Sequence, residues 1–295
     1  MRNESKDWRN KSKTGGKPKN RKQEKNMRDY PVVTDAHAHV KTKAEALERI
    51  REGIPTMVCG TDPEDARWVM ELCHMPETEG ILFPVFGLHP WYADQWKVED
   101  MMPYLEKCQV IGEIGMDSLW CNVPLKRQKE VLEKQLQIAA EWKKPVVLHT
   151  KDQEREILEL IRKYPNTYLV HWYSADHDLD GYLDLECYFS VGPDVIWNPA
   201  VQQVAKRVPE NRILLETDGM DAVKWAWEEG QKSQNYAIEE RESIRETTQK
   251  QPEEIVVKDS LHATIRMAAK LRNSSPEILS SLTTDNFFTF LRNSY

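Results

Sequence analysis

From residue 32 onward the chain alternates short apolar runs with longer amphipathic stretches. Runs rich in β-branched and aromatic residues stand at 32–37, 54–60, 81–87, 110–116, 145–150, 167–172, 186–192 and 212–218. Helical patterns lie between them. "KAEALERIREG" ends in a helix-stopping glycine, and "PLKRQKEVLEKQLQIAAEWKK" opens on Pro124, a residue that suits a helix start. In the second stretch Val131, Leu132, Leu136 and Ala139 recur at helical spacing and predict one buried face. Eight β-runs, each followed by a helix-length segment, fit a (β/α)8 TIM barrel of the α/β class. An open doubly wound sheet shares the alternation. Its first βα turn would usually carry a glycine-rich fingerprint, and here that turn reads "DAHAHVKTKA".

The rhythm breaks after the eighth run. Residues 221–252 form a charge-rich insertion that fits a solvated helix or a lid, with Trp225 and Trp227 as candidate anchors. A helix from about Glu253 to Leu271 and a final helical stretch through "TDNFFTFL" close the chain.

Charge changes the picture at the other end. Residues 1–28 hold eleven Lys/Arg against three acids, so the leader carries +8 and the rest −15 of a net −7. With few apolar residues to pack, the leader reads as a disordered basic extension before one domain at 29–295, and Met27 is an alternative start. A basic tail can also meet nucleic acid, although the acidic body excludes a generic nucleic-acid-coating protein. No stretch offers the roughly 20 apolar residues that span a bilayer, and the leader lacks a signal-type apolar core. Five scattered cysteines without a CxxC pair suggest reduced thiols and a cytoplasmic setting.

Candidate chemistry collects at the predicted strand exits. His37 and His39 end the first run with period-two spacing and so share a face. Glu113 lies in the fourth, His149 ends the fifth, His171 the sixth and Asp218 the eighth. In a barrel those ends converge on one rim, where sites are built. Singly, each has an ordinary reading as a hydrogen-bonded histidine, a paired acid or a helix cap. Jointly, six nitrogen and carboxylate donors are too many for one catalytic zinc and enough for two metals bridged by a carboxylate.

At these residues the sequence resembles the TatD family of metal-dependent hydrolases, amidohydrolase-like barrels. The matching motifs are "DAHAHV" (35–40), "GLHPWYA" (87–93), "IGEIGMD" (111–117), "PVVLHTKD" (145–152), "VHWYSA" (170–175), "LLETDG" (214–219) and "TDNFFTFL" (284–291). The resemblance runs from about residue 32 to the C-terminus. It implies two divalent ions (zinc, manganese, magnesium or similar), one held by His37, His39 and Asp218, the other by His149 and His171, with Glu113 bridging. It also implies catalytic roles for Asp218, as acid/base, and for Glu113. The implied activity is phosphodiester hydrolysis through metal-activated water, as in an exodeoxyribonuclease, on nucleic-acid ends or small phosphodiesters.

His89, Lys151 and Tyr173 are expected at the substrate rim, and Trp91 and Trp172 could either stack on bases or pack the barrel mouth. Three features depart from the family pattern. Lys151 stands where many members have arginine, no arginine follows "GMD", and the segment after "ETD" lacks the usual short proline-containing pattern. They leave open hydrolysis of a small amide or ester by the same centre, and, as a different class, a noncatalytic metal-binding module. Deleting residues 1–26 is expected to leave turnover of short substrates intact in a steady-state assay. A large loss would show that the leader takes part in the reaction.

Overall fold

The computed structural model describes residues 32–232 and 255–292. The basic leader and residues 233–252 of the expected insertion lie outside the described residues. Eight parallel strands follow one another in sheet order: β1 (Asp35–Ala38), β2 (Thr56–Gly60), β3 (Leu82–Phe86), β4 (Val110–Asp117), β5 (Val146–Lys151), β6 (Tyr168–Val170), β7 (Tyr188–Val191) and β8 (Ile213–Leu215). Beyond β8 the chain returns to β1, where the Asp218 N–H donates to the His37 carbonyl at 3.0 Å. This is the expected TIM barrel rather than the open sheet.

The helices between strands are α1 (Lys43–Glu52), α2 (Pro63–Cys73), α3 (Val98–Leu105), α4 (Leu125–Trp142), α5 (Glu154–Ile161), α6 (Leu179–Asp184) and α7 (Pro199–Arg207). After β8 come α8 (Met220–Lys232), α9 (Val257–Leu271) and α10 (Pro276–Arg292). Local chemistry sets their ends. Thr42 caps α1 by accepting from the Glu45 amide, and Gly53 stops it in the left-handed conformation that glycine adopts freely. No described helix is long and apolar enough to cross a membrane.

Period-two alternation organises the barrel interior. One apolar cluster takes residues from every strand, including Ala36, Met57, Val85, Val110, Val147, Leu169, Tyr188 and Leu214, and Phe287, Phe290 and Leu291 of α10 join it. Two residues further along, the same inward face becomes polar: His149, His171, Ser190 and Glu216 are all buried. The apolar layer is thus the floor on which the polar layer stands.

The predicted face of α4 is buried as expected, at Val131, Leu132, Leu136 and Ala139. Two glutamines on that face tie it to the strand exits. Gln135 Oε1 accepts from the Leu88 amide at 2.7 Å and its Nε2 donates to the Leu88 carbonyl at 3.1 Å. Gln128 does the same for Asp117, at 2.8 and 3.0 Å. Gln135→Ala would leave both Leu88 backbone groups unpaired in the interior. It is expected to lower unfolding stability by about 1–3 kcal/mol in denaturant titration, and unchanged stability would contradict this bracing role.

Candidate metal centre

The polar layer converges on one carboxylate. Glu113 is 2 % exposed, and five imidazoles face it. Its Oε1 lies 2.5 Å from His149 Nδ1, 2.8 Å from His171 Nε2 and 3.4 Å from His89 Nε2. Its Oε2 lies 3.3 Å from both His37 Nε2 and His39 Nε2. Asp218 Oδ1 meets the same two histidines at 3.2 and 3.4 Å.

All six expected ligands are therefore brought together, although three stand just beyond their strands, His39 following β1 by one residue. His171 follows β6 by one residue and Asp218 follows β8 by three, because the ladder ends early there. Past β8, the Thr217 N–H and hydroxyl turn to the Asp35 carboxylate, at 2.9 and 2.7 Å. Gly219, at φ 88°, lets the turn press on β1: an added Cβ would lie 2.7 Å from the His39 carbonyl oxygen.

The electrostatics of this cluster set the cost of burial against the pairing of opposite charges. Burial works against the charge on Glu113, and the facing imidazoles, His171 first and then His89, outweigh it and hold the carboxyl well below its usual range. Asp218, against the same cost of burial, is brought down to about 2 by its hydrogen bond and charge contact with His37. Burial opposes protonation of His39 and His149, but their carboxylate partners raise both. Charge pairing between these carboxylates and imidazoles thus opposes the cost of burial.

Buried His37 Nε2 and Glu113 Oε2 make no aligned hydrogen bond, and His149 Nδ1 and His171 Nε2 stand only 3.3 Å apart. Three donor sets have atoms within 4.8 Å of one another: His37, His39 and Asp218; His37, Glu113 and His171; and His89, Glu113 and His149. Imidazole and carboxylate donors at this spacing fit divalent ions.

The expected rim residues fall differently. His89 is buried against Glu113 as part of the cluster, deeper than a rim residue, and burial pushes it down to about 4. Lys151 lines the cavity above the centre. Tyr173 does not. It is 1 % exposed, packs edge-on against Tyr182 and Phe189, and donates its hydroxyl to the His177 carbonyl. The rim expectation for Tyr173 is corrected: Trp172 adopts a left-handed φ of 38°, and the next side chain joins the core.

Three residues that orient the ligands were not singled out in the sequence. Asp117 Oδ2 contacts His149 Nε2 at 3.1 Å, while Asp117 Oδ1 accepts the Leu119 and Trp120 amides at 2.7 and 2.8 Å. Glu216 Oε2 lies 3.6 Å from His171 Nδ1 and accepts the Ser190 hydroxyl at 2.7 Å. Cys59 Sγ contacts His37 Nδ1 at 3.3 Å. Asp117 was legible as the end of "IGEIGMD", and Glu216 as the residue two before Asp218.

Above the centre opens a cavity of about 810 Å³ lined by His39, His89, Glu113, His149, His171 and Asp218 on its inner side. Trp91, Trp120, Trp172 and Trp225 also line it.

A family model of TatD-related DNases matches residues 34–292. An uncharacterized metal-dependent hydrolase of Bacillus subtilis, YabD, is 26% identical over 212 residues, covering 63% of this chain and 80% of that protein. The human 3'-5' RNA nuclease TATDN2 is 30% identical over 156 residues, 48% of this chain but only 20% of that much longer protein. Among solved structures, the Escherichia coli TatD homologue YjjV superposes with a TM-score of 0.69 at 20% identity, covering 88% of this chain and 97% of YjjV. A TatD family hydrolase from Entamoeba histolytica gives 0.65 at 14% identity, covering 88% of this chain and 98% of its own. At such identities both likenesses bear on the fold.

Replacing Asp117 with alanine would free the His149 ring from its orienting carboxylate. Divalent-ion affinity is expected to fall roughly 10–100-fold in titration calorimetry; unchanged affinity would contradict the orienting role.

Proposed function

The chain belongs to the TatD family of metal-dependent hydrolases, and on that footing we propose that it is a two-metal phosphodiesterase acting on nucleic-acid ends. The observation that carries the proposal is the convergence of five imidazoles and the Asp218 carboxylate around buried Glu113 on the inner side of an open cavity. His37, His39 and Asp218 would hold one ion, His149 and His171 the other, and Glu113 would bridge. His89 completes the surroundings of Glu113. Divalent ions bound there would supply Lewis-acid polarisation of a phosphoryl oxygen and lower the pKa of water toward neutrality.

The chain's own groups do the rest. The side chain of Asp218 is 23% exposed, faces the cavity and stays ionised at neutral pH, so it is in the form that takes a proton from attacking water. Lys151 supplies a positive charge beside His149 for a phosphate oxygen, as a point charge rather than a bidentate fork. Asp117 orients the His149 ring, and Glu216 places its charge beside His171 while holding Ser190 and the Trp172 amide. The human RNA nuclease among the relatives supports a nucleic-acid substrate.

A second reading, hydrolysis of a small amide or ester by the same centre, draws on one observation. Among the described residues that line the cavity there is no arginine, and Lys41 is already paired with Asp221 at 2.6 Å.

The test is an activity panel on the full chain reconstituted with manganese, zinc, cobalt or magnesium. It uses single-stranded DNA, RNA, simple phosphodiesters, esters and amides. Metal-dependent phosphodiester turnover is expected, with Asp218→Asn slowing it at least about 100-fold. Turnover of esters or amides without phosphodiesters would replace the first reading with the second. Turnover of nothing, with no metal bound, would remove both.

A further inference from the structure

One wall of the cavity is built from indoles around a single lysine. Lys151 Nζ donates to the Trp172 carbonyl at 2.7 Å and stands 5.9 Å from the ring centroids of both Trp120 and Trp172. The Trp172 ring continues edge-on to Trp225 of α8, with centroids 6.0 Å apart. All four residues line the cavity that opens on the metal centre.

This wall is held in place. Trp172 occupies the left-handed region, which a residue with a Cβ adopts only where its surroundings fix it. Its N–H donates to Glu216 Oε1 at 2.7 Å, so Glu216 and Lys151 grip the two sides of one residue. Gly192 leaves room for the ring: an added Cβ would stand 3.0 Å from the indole Cδ2 and Cε2. Trp120 is fixed through its amide to Asp117, the residue that also orients His149. Yet Trp120 and Trp225 remain 55% and 41% exposed, which packing alone does not account for in side chains of this size.

Charge along the rest of the lining narrows what can bind. Glu45, Asp62, Asp65 and Asp221 are acidic, and Lys41 and Lys151 are the only lysine or arginine side chains among the described lining residues. With Lys41 paired to Asp221, one lysine is left for a substrate phosphate. A strand gripped by successive phosphates needs a row of cations. The exposed indoles of Trp120 and Trp225, beside buried Trp172, instead suit bases, whose faces stack whatever their sequence.

We propose that Trp120 and Trp225, backed by buried Trp172, form a subsite for one terminal nucleobase, with Lys151 meeting a single adjacent phosphate. The protein then holds its substrate by stacking the end nucleotide rather than by tracking the phosphate backbone. The proposal rests on the nucleic-acid-end reading and specifies how that end is recognised. Because the stacked base must be unpaired, single-stranded ends are preferred over blunt duplex ends.

The experiment compares two single-stranded DNA tetranucleotides, one with all bases and one abasic at both terminal positions. Binding is read by quenching of indole fluorescence with the full chain in EDTA, and turnover with the manganese-loaded full chain. The base-bearing strand is expected to bind about tenfold or more tightly. Its binding should show a log–log salt slope near −0.7, the value for about one phosphate on a single strand. Trp120→Ala and Trp225→Ala are each expected to shrink the preference at an unchanged thermal midpoint, with Trp120→Phe restoring part of it. Equal binding of the two strands, a preference untouched in both alanine variants, or a salt slope steeper than about −3 would overturn the subsite. If base-dependent binding persists but neither strand is cleaved with any metal, the subsite stands and the phosphodiesterase reading falls.

Discussion

A carboxylate almost wholly buried must be neutralised by its neighbours, and the upper half of this barrel is arranged around that requirement at Glu113. Five imidazoles from the exits of β1, β3, β5 and β6 close on its two oxygens, and Asp218 shares two of them. Removing positive charge from this group would strand two anions in the interior, while supplying divalent ions would release the imidazoles from carrying protons. The centre and the fold are thus coupled, since these side chains come from separate strands of the barrel and meet only when it closes.

The supports are as specific as the ligands. The apolar floor, with Val147, Leu169 and Leu214 two residues below His149, His171 and Glu216, sets the height at which the polar layer begins. Gln128 and Gln135 of α4 fix the exits of β4 and β3 by satisfying backbone groups that the strands leave unpaired. Asp117 serves two structures at once. Through one oxygen it orients His149, and through the other it holds the loop that presents Trp120 to the cavity.

Much of this was legible in the sequence because barrel geometry turns position along a strand into position in space. An HxH pair and single acids or histidines at later strand exits suffice to place His37, His39, Glu113, His149, His171 and Asp218 on one face. Residues whose roles depend on a neighbour across the sheet were harder to read. Asp117 and Glu216 look like ordinary acids until His149 and His171 stand beside them. Gln128 and Gln135 sit on a face that the apolar pattern predicts without them. Tyr173 misled because its place in the chain suggests the mouth, and only the left-handed turn at Trp172 shows its ring joining the core. His89 lies deeper than a turn histidine suggests, since the segment after β3 folds back over Glu113.

The proposed two-ion centre depends on Glu113 as the shared partner of both ions. Titrating manganese or zinc into the metal-free full chain by calorimetry, beside a Glu113→Gln variant that keeps shape and removes charge, tests this directly. Two ions per chain are expected, with both affinities lowered in the variant. A single ion, or two ions of which one binds Glu113→Gln as tightly as the native chain, would contradict it.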